Sequence, residues 1–448
     1  MKLRTLAHLS LAAIAASSLA AHAAATPEEA ARLKTTLTPL GAEKAGNAAG
    51  TIPAWTGGYS TPIPGEKPGG KRGDPFPNDK PLYSVTAANM AQHQDKLTEG
   101  VKAMLRKYPS SYRIDVYPTH RTAIAPNWVY ENTFRNATSG KLDGDLPSGI
   151  YGGIPFPIPK SGVEAMWNHK LAWRGSSWEA QFTQYQVTAD GRPVLTTSGQ
   201  VKQSMPYYVE NGADKFSGFY WQLNLVNDGP PIRAGEMLVG REHFEPSKSA
   251  AYVYLTGQRR VRKLPNACCD TPTPASAGLM SFDEISVFTG KTDLFDWKLV
   301  GKKEMLVPYN NNRLLALKDA DVIKGQHLNP DHLRWELHRV WVVEATLKPG
   351  QRHQAPKAVY YLDEDTWVGV LGDRWDANGQ LWKTTWNLNY VMPDFPGTVQ
   401  QTFGFYDLLS GQAYVSNLLG EKPLQQRPVK MWPDSIFTGD GLAAQGVR

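Results

Sequence analysis

A mainly β fold is predicted, built as a barrel or sandwich of antiparallel strands, and three features of the sequence predict it. The first is the run Trp382 to Tyr390, where Trp382, Thr384, Trp386, Leu388 and Tyr390 alternate with Lys383, Thr385, Asn387 and Asn389. Strand side chains point alternately to opposite faces, so this run carries one apolar and one polar face. The second is Asn378-Gly379, just before it, a pair that tolerates positive φ and signals a hairpin. The third is the succession of short strands and turn residues from Trp178 to Tyr406, the pattern of an all-β sheet that closes on or stacks against itself. No internal repeat accompanies it, which disfavours a propeller. A curved sheet with a large aromatic face either fills with its own side chains or encloses a guest.

The elements follow in order. Lys2 and Arg4 precede the apolar stretch Leu6 to Leu19, and Ala21-His22-Ala23 supplies a cleavage pattern. Residues 1–23 therefore read as a cleaved secretory signal, too short in its apolar part for a bilayer-spanning helix. No cysteine adjoins the cleavage site, so the product is expected to be periplasmic and not a lipoprotein. Pro27 to Leu40 reads as a short helix with Pro at its start. Gly41 to Pro81 is dense in Gly and Pro and reads as an irregular arm lying on the body through Trp55 and Tyr59. Val85 to Tyr108 reads as a helix, with Met90, Leu97, Val101, Met104 and Leu105 near helical spacing and Pro109 ending it. A strand pair is expected over Arg113 to Arg135, then a rigid proline connector, then a short helix over Ser161 to Trp173. Strands are expected on both sides of Asp190-Gly191, over Phe219 to Leu225, Glu236 to Phe244 and Tyr252 to Arg262, with a small helix within Leu279 to Thr289. Phe295 to Tyr309, His338 to Leu347, Val359 to Leu362, Trp367 to Leu371, Leu381 to Tyr390 and Val399 to Tyr406 complete the strands.

The formal charge is +6, of which Lys2 and Arg4 lie in the leader. That mild excess argues against nucleic acid as a main partner. The local cluster Arg259-Arg260-Val261-Arg262-Lys263 reads as a solvated strand end. The two cysteines, Cys268 and Cys269, are adjacent; a bond between them would be strained, so burial must stabilise the fold. His327, His332, Glu336 and His338 match no metal-binding spacing, and Asp363-Glu364-Asp365 reads as a hairpin tip that departs from a calcium loop. There is no G-x-S-x-G, no phosphate-binding loop and no dinucleotide fingerprint. No cofactor, metal or catalytic group is expected, although carboxylate pairs set by tertiary distance are invisible in a sequence.

Several segments resemble an uncharacterised family of secreted proteobacterial proteins of about 450 residues whose body is similar to the periplasmic lipoprotein carriers LolA and LolB. They are residues 52–58, 117–122, 153–159, 167–169, 257–262, 339–345 and 360–367, among them Tyr117-Pro118-Thr119-His120-Arg121-Thr122 and Tyr360-Tyr361-Leu362-Asp363-Glu364-Asp365-Thr366-Trp367. The resemblance implies an open, incompletely closed β-barrel with a helical lid over a hydrophobic cavity, occupying residues 161–448 behind an N-terminal extension over 24–160. It also implies an RND-type exporter and an outer-membrane protein as partners. The expected function is therefore a non-enzymatic, monomeric periplasmic carrier of a lipid, acyl chain or other hydrophobic molecule. A secreted hydrolase acting on lipid or glycan and a structural partner of an outer-membrane complex are the alternatives. The expected lining is the inward strand faces Phe219, Trp221, Leu223 and Leu225; Trp341 and Val343; and Trp382, Trp386, Leu388 and Tyr390. The Gly41 to Pro81 arm and the loop Pro265 to Gly278 are the candidates for a movable cover.

Overall fold

The computed structural model describes residues 24–67, 70–265 and 267–446; the expected signal sequence lies outside them. Thirteen long strands carry the fold. They are β1 (Ser177–Val187), β2 (Pro193–Ser204), β3 (Phe219–Gly229), β4 (Met237–His243), β5 (Ala250–Leu255), β6 (Arg260–Leu264), β7 (Phe295–Pro308), β8 (Trp335–Leu347), β9 (Lys357–Asp363), β10 (Gly369–Trp375), β11 (Leu381–Met392), β12 (Gly397–Asp407) and β13 (Ala413–Leu418). With three short marginal strands they form one sixteen-stranded sheet. Its long strands run antiparallel in the order β7-β8-β9-β10-β11-β12-β13-β1-β2-β3-β4-β5-β6, and a single parallel bridge joins Trp335 to Val116. Two meanders, 177–264 and 295–418, are thus zipped together where β13 pairs with β1. The edge strands β7 and β6 do not pair with each other, so the sheet stays open. Edge strand β6 carries Arg260, Arg262 and Lys263 largely exposed, the charged side chains that discourage a bare edge from pairing with another chain.

Helices accompany this sheet. In α1 (Pro27–Ala31), Thr26 and Glu29 form a reciprocal capping box. Helix α2 (Glu99–Lys107) starts at Thr98, whose hydroxyl accepts from the Val101 N–H at 3.1 Å, and buries Gly100, Val101, Met104 and Leu105. Gly100 sits so close to β10 and β11 that a Cβ would lie 2.2 Å from an Asp373 carboxylate oxygen; the Gly100 N–H donates to Asp373 at 3.0 Å. Helix α3 (Asn127–Ser139) replaces the second half of the strand pair expected over Arg113 to Arg135, of which only Ile114–Val116 is a strand. The cause is tertiary: Val129, Asn132, Thr133, Asn136 and Ala137 recur at helical spacing and are buried together. Helix α4 (Gly162–Lys170) is capped by Ser161 and lies against β7 and β8; a Cβ on Gly162 would meet the Trp297 backbone at 2.9 Å.

A second correction concerns Tyr252 to Arg262, expected as one strand. It is the hairpin β5–β6, turned at Gln258-Arg259, with Arg259 in the left-handed region at φ 48°. Helix α5 (Gly439–Gly446) closes the back of β4, β5 and β6, burying Leu442 with Met237, Val239 and Tyr254.

Both faces of the central strands are buried. On one, Trp386, Leu388 and Tyr390 join Val101, Met104, Leu105, Leu371 and Tyr406 in the largest core. On the other, Lys383, Thr385, Asn387 and Asn389 are all nearly inaccessible; Lys383 meets Leu279 and Glu284 of the segment that crosses from β6 back to β7, residues 265–294, whereas Asn389 accepts from the Asn310 N–H.

Candidate functional site

Along β1 to β5 the second face meets less protein. Strand register places Ala180, Val201, Leu225, Leu238 and Val253 side by side across five strands, and Gln203, Leu223, Gly240 and Ala251 in the next row. Apart from Ala180, these rows, with Trp178 and Phe182, form the wall of a cavity of about 480 Å³. Opposite stand Cys268, Cys269, Pro274, Met280, Ile285 and Phe288 of the crossing segment. The volume falls within the range of roughly 300–1,000 Å³ that small-molecule pockets occupy, and an apolar lining with a few polar groups is their usual composition.

The crossing segment is pinned at its far end. Arg374 and Lys383, on β10 and β11, reach it from the sheet. Arg374 Nη1 pairs with Asp283 at 3.0 Å, and Arg374 Nη2 donates to the Asp283 and Val287 carbonyls. Lys383 Nζ pairs with Glu284 at 2.9 Å. Asp283 also meets His353 Nε2 at 3.0 Å. Burial opposes ionisation of Asp283, but Arg374 and His353 more than offset it and hold the carboxyl well below the ordinary range. The near end, with Cys268 and Cys269, has no comparable buried ion pair among the described residues; the two sulfurs lie 2.7 Å apart and Cys269 adopts φ 61°.

One end of the cavity is polar. His169, Lys170 and Arg174 enter from the C-terminal end of α4 and beyond, facing Tyr220 and Glu242. Enclosure lowers Lys170 to about 8 and Arg174 to about 10, because a charge withdrawn from water is disfavoured. Burial also lowers His169 to about 3; its Nδ1 accepts from the Gly369 N–H at 2.8 Å, so the ring is held neutral as a structural tie.

The expected lining residues divide. Trp221, Leu223 and Leu225 face the cavity. Phe219 lies beyond it, with the Arg241 guanidinium 3.9 Å above its ring. Val343 packs with Ala165, Met166 and Phe288, and Trp341 stacks on Trp367 with ring centroids 6.0 Å apart. Trp386, Leu388 and Tyr390 point to the opposite face of the sheet, and half-buried Trp382 donates to Asp407 at 3.1 Å. Trp178, Phe182, Val201, Leu238 and Val253 were not singled out; the alternation Trp178, Ala180, Phe182 on β1 is the signal that points to them. Of the two candidate covers, Pro265 to Gly278 borders the cavity, whereas no described residue of Gly41 to Pro81 does. That arm is tied elsewhere, through buried Arg72 on Asp394 at 2.6 Å.

One group among the described residues could hold a metal ion: ligand atoms of His338, Asp363 and Asp365 lie within 4.8 Å of one another. Two of the three are already paired, whereas Asp363 Oδ1 is buried without a hydrogen-bond partner among the described residues, 3.9 Å from His338 Nδ1. Arg121 forks Asp365 at 2.9 and 2.7 Å, and His338 Nε2 meets Glu336 at 3.0 Å.

The model of a family described as a protein of unknown function, DUF1329, matches residues 84–443. An uncharacterized protein of Pseudomonas aeruginosa is 37% identical over 453 residues, covering 99% of both chains. Among solved structures, a DUF1329 family protein from Desulfovibrio piger is 14% identical, with a TM-score of 0.41, over 60% of this chain and 92% of its own. A LolA superfamily protein from Nitrosomonas europaea is 12% identical, with a TM-score of 0.38, over 63% of this chain and 100% of its own.

Proposed function

The chain belongs to the DUF1329 family, whose function is unknown, and on that premise we propose that it is a non-enzymatic periplasmic carrier for the hydrophobic chain of a lipid or acylated molecule. The observation that carries this reading is the row Val201, Leu225, Leu238 and Val253. These side chains border open volume, while the equivalent face of β8 to β11 is packed solid against α4 and the crossing segment. Apolar surface left without a protein partner is the preformed half of a binding site.

The physical need for such a site is large. Exposing about a dozen methylenes to water costs on the order of 10 kcal/mol at roughly 0.8 kcal/mol each. Cargo held this way escapes into water slowly, so hand-over proceeds by contact with an acceptor. The crossing segment is the cover in this scheme: pinned by buried ion pairs at Asp283 and Glu284, with its Cys268-Cys269 end held by hydrogen bonds, among them the Asp283 N–H to the Cys269 carbonyl at 3.0 Å. An RND-type exporter and an outer-membrane protein are the delivering and receiving partners in the proposed scheme, and the carrier acts as a monomer.

Native mass spectrometry of protein isolated without detergent tests it. A lipid retained at one per chain is the expected result. A bare chain that also fails to take up a fluorescent long-chain fatty acid would overturn the carrier reading.

A further inference from the structure

The two ends of the cavity handle charge differently. At the end marked by Asn227 on β3, Arg233 is neutralised within the protein by Glu236, with Nε 3.0 Å from the carboxylate. At the other end, marked by Trp221 and Glu242, two cations lack such a partner. Lys170 Nζ donates to the Gly290 carbonyl at 2.7 Å and lies 5.7 Å from the Tyr220 ring. Arg174, 9% exposed, donates only to the carbonyls of Ala172, His169 and Lys170, at 3.5, 3.2 and 3.4 Å. Neither forms an ion pair with a carboxylate among the described residues.

Backbone carbonyls orient both groups without neutralising them. A cation withdrawn from water and left unpaired is costly, and guanidinium in particular matches the geometry of carboxylate and phosphate. Glu242 and Asp293 are the acidic groups near Lys170. The Glu242 carboxyl is pushed upward by burial, and it lies beside Lys170, Lys291, Ser249 and Tyr220. Lys170, Arg174 and Lys291 therefore outnumber the two carboxyls, one of which burial already drives toward its neutral form. Moving away from Lys170 and Arg174, the wall turns apolar at once, through Leu223 to Leu225, Leu238 and Val253.

We propose that the Lys170–Arg174 end binds an anionic head group, carboxylate or phosphate, so that the cargo is a single-chain anionic amphiphile. Its chain lies along the row Leu223, Leu225, Leu238 and Val253. This rests on the carrier reading above and narrows it to a head-group chemistry.

The test is displacement of a fluorescent long-chain fatty acid from the intact protein by hexadecanoate, hexadecyl phosphate and hexadecanol. The expected result is that at least one anionic competitor binds about ten-fold or more tightly than the alcohol, and the stronger of the two identifies the head. Lys170→Gln should shrink that preference several-fold, with thermal unfolding measured beside the titration to show that the variant is folded. Arg174→Gln should act in the same direction. Equal affinity for all three competitors in the wild type overturns the head-group assignment and leaves the carrier intact. An anionic preference that survives unchanged in Lys170→Gln and in folded Arg174→Gln also overturns it. Failure of every competitor, with no uptake of the fluorescent acid, sinks the carrier reading itself.

Discussion

Asp283→Ala is expected to destabilise the protein by about 3–5 kcal/mol, the cost of leaving a buried charge without its partner. Asp283 and Arg374 are each 1% exposed, so neither can turn to water when the other is removed. Arg374 would keep the backbone carbonyls of residue 283 and Val287 and a longer contact with Glu284 at 4.0 Å, and His353 would lose its carboxylate as well. Chemical denaturation of the two proteins near neutral pH measures the difference. The pH dependence has a definite sign. Asp283 is held below its ordinary value of 3.8 in the folded chain, so its contribution is fully present above that value and is lost as pH falls below it. The gap between wild type and variant should therefore narrow on acidification through the carboxylate range. A gap that widens there would contradict the pairing.

Trp386→Ala is the second large effect, again about 3–5 kcal/mol of stability. Trp386 is 4% exposed in the core with Leu371, Leu388 and Tyr406. Its ring also fills the notch left by Gly404, where a Cβ would stand 2.6 Å from the indole. The indole N–H has no hydrogen-bond partner among the described residues, so the loss is one of packing, and Trp386→Phe should recover much of it. Because this side chain points away from the cavity, the folded fraction of Trp386→Ala should bind a fluorescent fatty acid as the wild type does. Lost binding with unchanged stability would instead make Trp386 part of the ligand site.

These two residues show what the sequence exposes and what it hides. The strands from Glu336 to Tyr390 are legible because alternation over many residues has no other explanation, and Asn378-Gly379 turns with Gly379 at φ 74°. Alternation separates two faces; it does not say what covers each. Lys383, Thr385, Asn387 and Asn389 read as a wet face, yet all are buried. Asn387 donates to the Gly369 carbonyl and to Gln400, and Lys383 is paired with Glu284. Polar side chains satisfied by distant partners look the same in sequence as solvated ones. The aromatic face proved to be filled core on β11, whereas on β3 the same pattern borders the cavity through Trp221, Leu223 and Leu225. Leu238 and Val253 are not legible in sequence because their strands are short and the row they make runs across the sheet, through residues far apart in the chain. Lys170 and Arg174 were silent for the same reason: only the fold brings them to the end of that row.

The most direct test of the central claim fills the cavity. Leu225 stands mid-row between Val201 and Leu238 and lines the cavity, so a tryptophan there takes up cavity volume. Titration of wild type and Leu225→Trp with a fluorescent long-chain fatty acid, beside their thermal unfolding, is the measurement. The account predicts affinity weakened by about ten-fold or more at a nearly unchanged unfolding temperature. A folded Leu225→Trp that binds the acid as tightly as wild type would contradict it.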